Sequence, residues 1–210
     1  LLNLMKYNQF DTIYHEHFSY FSLLTVCKIF EAHGLNLFDV EELSTHGGSL
    51  RIYAKHVEDN SKLVQPSVEH LLKTEKQFGL SRIETYQQFA EQVRETKRAL
   101  LSFLIRAKRE GKTIVGYGAP AKGNTLLNYC GIGIDFLDYT VDRSIYKQGR
   151  YLPGTHIPIY GLERIAETRP DYVLILPWNL QEEIIEQMKE IRSWGGRFVV
   201  PIPEVRVIEA

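Results

Sequence analysis

From Lys112 onward the chain alternates between two patterns, and this alternation limits the fold more than any other feature. Short apolar, β-branched runs (KTIVGYG, IDFLDYTVD, DYVLILPW, GRFVVPIP) alternate with amphipathic helical runs (AKGNTLLNYC, GLERIAETRP, LQEEIIEQMKEIRSWG). Strands that read as continuous apolar runs are buried on both faces, and alternation with helices predicts a parallel sheet with helices on both sides. About 100 residues of this kind make half of a doubly wound fold, or a small complete one.

Upstream the pattern changes. In FSLLTVCKIFEAHG the apolar residues Leu23, Leu24, Cys27, Ile29 and Phe30 fall at near-helical spacing, and Gly34 is placed to end the helix in a left-handed conformation. Two strands then follow. Leu35, Leu37 and Val40 mark the first, and Leu50, Ile52 and Ala54 alternate with Arg51, Tyr53 and Lys55 in the second, with THGG as the turn. Such a helix and antiparallel pair is too small to fold alone and is how many sheets end. Residues 65–110 are charged and helical, broken at Gly79 and Ser81, with a long helix expected from about Ile83 to Arg109. The expected organisation is therefore residues 1–57, a helical connector at 58–110, and a Rossmann-like domain at 111–210.

Composition excludes some functions. Lys and Arg total 25 against 26 Asp and Glu, a formal net charge of −1, where nucleic-acid binders and polybasic membrane modules need a basic excess. No run of 18 or more apolar residues is present to span a bilayer. Cys27 and Cys130 form no CxxC and no disulfide framework, as expected of thiols in a reducing, cytoplasmic compartment. The opening LLNLMKYNQF has no initiator methionine and runs straight into an apolar stretch, which suggests part of a longer protein.

Five features can carry chemistry. In Tyr14-His15-Glu16-His17 two imidazoles, a carboxylate and a phenol lie within four residues. They can abstract a proton near neutral pH, orient the base and donate to a developing enolate oxygen. A zinc reading of HxH would have to recruit His33, His46 or His56, and an exposed loop with Tyr14 packed beneath is the structural alternative. Gly47-Gly48-Ser49 with Arg51 is either a hairpin turn or an anion or ketone contact. Gly116-Tyr117-Gly118-Ala119-Pro120-Ala121 fits GxGxx(G/A) between strand and helix. Lys122, Gly123 and Asn124 follow it, and Asp142 ends the next strand. That pattern points to a nucleotide or diphosphate at a helix N-terminus. Lys147 and Arg150 are phosphate partners or solvated loop charges. Trp178, in LPWN after a buried strand, stacks on a base or sugar or else packs internally.

Together, YHEHFSYFSL, THGGSLR, GYGAPAKGNTLLNY, VDRSIYKQGRYLPGTHIPI and PDYVLILPWN resemble the sugar C-methyltransferases that act on nucleotide-linked keto-sugars. The likeness covers nearly the whole chain, with the motifs in the family's order. It implies that residues 1–57 are the end of a class I, S-adenosylmethionine-binding methyltransferase domain, and that residues from about 110 form the family's Rossmann-like C-terminal domain. The family's zinc cysteines and glycine-rich methyl-donor loop have no match here. The resemblance therefore implies a chain that lacks the methyl-donor site and is inactive alone, within a full-length S-adenosylmethionine-dependent enzyme. It assigns proton abstraction next to the ketone to His17, with Tyr14 and Glu16 at neighbouring active-site positions, and places the nucleotide diphosphate sugar at the C-terminal domain. An NAD-binding oxidoreductase fragment and a non-catalytic nucleotide-binding module are the alternatives. A hairpin at the end of a sheet leaves an open edge, so we expect residues 1–57 to be covered by a second copy in a homodimer.

Overall fold

The computed structural model describes residues 1–208; the last two residues of the expected C-terminal domain, 209 and 210, lie outside the described residues. The chain divides into two compact units. One comprises Leu1–Gln9 and His17–Glu91, the other Phe10–Glu16 and the chain from Gln92 onward.

The first unit is built on a hairpin. After a short helix α1 (Leu2–Lys6), helix α2 (Leu23–Glu31) starts at Ser22, whose Oγ accepts the Thr25 amide at 3.1 Å as an N-cap. Gly34, at φ 69°, turns the chain into strand β1 (Leu35–Leu43), which pairs antiparallel with β2 (Ser49–His56). The register runs from Leu35 opposite His56 to Leu43 opposite Ser49, with an irregularity between Leu37 and Asp39. Helix α3 (Pro66–Phe78) opens with proline in its first turn, where the missing N–H costs nothing, and closes on Gly79 in the left-handed region. It is more than a connector: its Val68 and Leu71 join Leu23, Leu37 and Val40 in one buried cluster. A second cluster gathers Leu4, Met5 and Leu80 with Tyr20, Leu24 and Phe89 around it.

Helix α4 (Ile83–Arg109) has the expected bounds, and the division between units falls within it, after Glu91. In the second unit β3 (Ile114–Tyr117), α5 (Ala121–Cys130), β4 (Thr140–Val141), β5 (Ile159–Tyr160), α6 (Glu163–Thr168), β6 (Tyr172–Ile175), α7 (Gln181–Gln187), β7 (Arg197–Val200) and β8 (Arg206–Ile208) form one α/β layer structure. The six strands lie in the order β5-β4-β3-β6-β7-β8, all parallel except β8, which pairs antiparallel with β7. The crossover through α5 runs from β3 to β4 and the one through α7 runs the opposite way along the sheet, from β6 to β7, so right-handed connections put α5 and α7 on opposite faces. The expected parallel Rossmann-like sheet is therefore present, and the antiparallel edge strand is an addition to it. The expected helix over 181–194 is two pieces, α7 and a 3₁₀ segment at Lys189–Trp194 that ends on Gly195 at φ 81°. No described helix is long and apolar enough to cross a membrane.

The order reverses between β3 and β6, and ligands of open α/β sheets bind outside the carboxyl ends of strands at such a point. Helix α5 leaves β3 there through Gly118-Ala119-Pro120, and Leu176-Pro177-Trp178 leaves β6.

Candidate functional site

The glycines of the β3–α5 turn are accounted for by packing. A Cβ on Gly116 would lie 2.7 Å from the Thr140 Oγ1, and one on Gly123 would lie 2.7 Å from the Leu176 Cβ. Gly118 takes φ +90°, and a Cβ there would meet the Pro177 Cδ at 2.6 Å. These contacts let β3 and α5 approach β4 and the segment after β6. Gly118 and Asp142 also line a crevice of about 200 Å³, together with Tyr117, Pro120, Arg143 and Pro177.

Asp142 closes this turn from within. Its Oδ2 accepts the Ala119 amide at 2.7 Å and the Lys147 ammonium at 3.2 Å, and its Oδ1 accepts the Ser144 amide at 2.8 Å. Lys147 also donates to the Ala119 carbonyl at 3.0 Å. The Gly118 amide is bonded to the Val141 carbonyl at 2.6 Å. An internal carboxylate thus occupies the Ala119 amide, one residue before Pro120, the N-cap of α5. Arg150 is exposed on the same loop. Asn124 sits in α5, where its Oδ1 accepts from the Asn128 side chain at 3.2 Å.

Trp178 is buried and makes two polar contacts. Its Nε1 donates to Oδ2 of Asp11 at 2.7 Å, and the Lys122 ammonium lies 4.6 Å from its ring centroid while donating to Oδ1 of Asn179 at 2.8 Å. Asp11 is 0% exposed, and its Oδ1 has no hydrogen-bond partner among the described residues. Burial pushes its pKa up to about 7, against the opposing pull of the Trp178 hydrogen bond and the nearby Lys122 charge. Burial in turn lowers the pKa of Lys122, and Asp11 partly offsets that. Sequence reasoning missed Asp11; the available signal was an acid set between the apolar Phe10 and Ile13.

The YHEH motif straddles the two units, with Tyr14, His15 and Glu16 in the second and His17 in the first. Tyr14 is half-buried, and desolvation, with Glu16 and Asp11 nearby, raises its pKa above the ordinary phenol value. It therefore stays a protonated donor at neutral pH. Glu16 and His15 are exposed, 4.0 Å apart. In the first unit, the half-buried His17 ring meets Tyr20 edge-on, with centroids 6.1 Å apart. Ser49 donates to the Thr45 carbonyl at 3.0 Å, and Arg51 pairs across the hairpin with Glu41 at 3.0 Å. Ser49 also lines an apolar cavity of about 360 Å³ with Leu2, Phe21, Leu23, Val26 and Ile52. No group of three or more His, Cys, Asp or Glu suited to a metal forms among the described residues.

Residues 44–203 match the model of the C-methyltransferase C-terminal domain. The whole chain is also 46% identical, over 213 aligned residues, to the C-methyltransferase NovU of Streptomyces niveus. The chain belongs to the C-methyltransferase family. It spans half the length of that relative. As a member of this family, the chain carries its GYGAPAK turn, Asp142 loop and Trp178 inside the matched C-terminal domain. The YHEH motif precedes residue 44 and lies outside that domain match, but within the alignment to the relative.

Proposed function

We propose that this chain is the substrate-handling half of an S-adenosylmethionine-dependent C-methyltransferase acting on a nucleotide-linked keto-sugar. The observation that carries the reading is a likeness to a C-methyltransferase running the full length of the chain, YHEH segment included. C-methylation next to a ketone needs a base to remove a proton from carbon and a donor to stabilise the enolate oxygen. His17 takes the first role and Tyr14, held protonated by its surroundings, the second. Glu16 orients the neighbouring imidazoles. Once the proton is gone, the carbon bears the electron pair that forms the new C–C bond.

When bound, the methyl donor supplies an electrophilic methyl group. The described residues do not fit it. In the first unit the strands form an antiparallel pair whose glycine turn leads from strand to strand, and the β3–α5 turn has its Ala119 amide committed to Asp142. We place the donor's site in the other half of the full-length protein. For the nucleotide diphosphate of the sugar we propose the carboxyl ends of β3 and β6, where Lys122, Lys147 and Arg150 supply positive charge, Asn124 a polar side chain and Trp178 an aromatic face. Ser49 and Arg51 stay secondary candidates, since both make hairpin contacts.

The oxidoreductase alternative is disfavoured by the Asp142 contacts. The acid that would hold a cofactor ribose is bonded to Ala119, Ser144 and Lys147 instead. The free cysteines Cys27 and Cys130 support a cytoplasmic setting, and the open edges of the two-stranded sheet support pairing with a second copy.

The test separates deprotonation from methyl transfer. The full-length protein, given a nucleoside diphosphate keto-sugar in deuterated water without methyl donor, is expected to exchange the proton next to the ketone. His17→Ala should slow that exchange and the complete reaction together, by about 10²–10⁴-fold. Methyl transfer unaffected by His17→Ala would sink the reading.

A further inference from the structure

Residues 10–12 behave unlike the rest of the segment that carries the YHEH motif. Phe10, Asp11 and Thr12 form a single 3₁₀ turn and all three are buried, whereas Ile13, His15 and Glu16 are exposed and Tyr14 is half-buried. The turn is pinned to the Rossmann-like sheet at two points. The Phe10 ring meets Tyr129 of α5 edge-on at 5.2 Å, and the Asp11 carboxylate accepts a hydrogen bond from the Trp178 indole N–H at the carboxyl end of β6.

As a purely stabilising device this carboxylate is a poor choice. It is buried, its Oδ1 has no hydrogen-bond partner among the described residues, and the groups that donate to it, the Trp178 indole and the local backbone, are neutral, so its charge is desolvated at a cost that the nearby Lys122 offsets only in part and that an uncharged acceptor would avoid. What the arrangement does supply is a short, directional bond three residues before Tyr14. Three extended residues reach only about 10 Å, so fixing Asp11 confines where the phenol and Glu16 can go.

We propose that Asp11 is a positioning residue, which through its bond to the Trp178 indole anchors the segment bearing Tyr14 and Glu16 at the carboxyl end of β6. The role rests on the methyl-transfer reading above, but the anchor itself does not. Lys122, over the Trp178 ring and tied to Asn179, keeps the indole oriented from the α5 side. The anchor therefore joins the two segments that leave β3 and β6 to the stretch bearing Tyr14 and Glu16.

The test uses the full-length protein and two readouts, steady-state methyl transfer and amide hydrogen exchange across residues 12–16. Asp11→Ala is expected to lower kcat at least tenfold, to change KM for the nucleotide-sugar less than threefold, and to speed exchange of these amides. Asp11→Asn, whose amide oxygen still accepts from the indole, should keep kcat within threefold and exchange as the unaltered protein does. Trp178→Phe should loosen the same amides. The proposal is overturned if Asp11→Ala keeps kcat within threefold or raises only KM. It is also overturned if Asp11→Asn fails as badly as Ala with exchange unchanged, since the carboxyl would then act on a proton directly. If the unaltered protein transfers no methyl group, the catalytic role falls with that reading, and the exchange data still decide the anchor. Should Asp11→Ala not fold, Asp11→Asn and Trp178→Phe carry the decision.

Discussion

Glu75, near the end of α3, caps the start of α2: its two carboxylate oxygens accept the amides of Leu23 and Leu24, each at 2.8 Å. The side chain is almost fully buried, so the hairpin unit has a polar clasp inside its apolar core. Two amides at a helix N-terminus are satisfied by one anion, which the helix dipole favours. Glu75→Ala is expected to strand both buried amides and to destabilise the first unit by about 2–4 kcal/mol. Glu75→Gln, which keeps one acceptor, should cost about half as much. Chemical denaturation followed by circular dichroism checks both, and equal losses would mean that packing rather than the clasp is at work.

Sequence reasoning read α3 as part of a connector, and Glu75 shows why. A charged residue at a core position looks like a solvated one until its partners, some fifty residues away, are known. The same holds for Asp11, whose partner Trp178 is distant in sequence. By contrast, the β3–α5 turn and α4 are legible because strand periodicity, helix periodicity and glycine placement are all local. Strand β8 escaped notice because an antiparallel edge of three residues, Arg206–Ile208, carries too short a pattern. The glycine turn shows a further limit. Its pattern is local, but Asp142 at the Ala119 amide is a tertiary fact that changes what the turn can hold.

Asp11 gives the protein a pH dependence of definite sign. Its pKa in the folded chain is about 7, above the ordinary carboxylate value of 3.8, with Lys122 the charged neighbour and Trp178 the hydrogen-bond donor. The folded state then holds more protons than the unfolded one between pH about 4 and 7, so this group lowers stability as pH rises through that window. Below it the penalty is absent, and above it fully present, on the order of 4 kcal/mol at most. The melting midpoint of the unaltered protein, relative to Asp11→Asn, should fall from pH 4 to 7 and stay level beyond. A difference independent of pH would show that the carboxyl is not shifted.

Gly118 and Gly131 separate backbone strain from close approach. Both have positive φ, +90° and +73°, but only at Gly118 would a Cβ collide with Pro177, while nothing lies within 4 Å at Gly131. Gly131→Ala should cost about 1 kcal/mol from φ alone. Gly118→Ala should cost roughly 2–4 kcal/mol, because strain and overpacking act together. Thermal melts of the two variants side by side test this, and equal losses would exclude the collision.

Ligand preference follows from what the turn has left to offer. A dinucleotide would need the Ala119 amide and the Asp142 carboxylate, and each is the other's partner at 2.7 Å. Displacing that bond also breaks the hold of Lys147 on Asp142 and of Asp142 on Ser144. A nucleoside diphosphate can leave the Ala119–Asp142 bond intact if its phosphates meet the cationic side chains of Lys122, Lys147 and Arg150. In a thermal-shift titration of this chain, dTDP or UDP is therefore expected to raise the midpoint, and NADH and S-adenosylmethionine to leave it unchanged. Ligand at 100 times its Kd stabilises by about 2.7 kcal/mol, roughly 5–10 °C for a chain of this size. Stabilisation by NADH alone would mean that the Asp142 bond opens for a dinucleotide, and the proposed substrate site would fall with it.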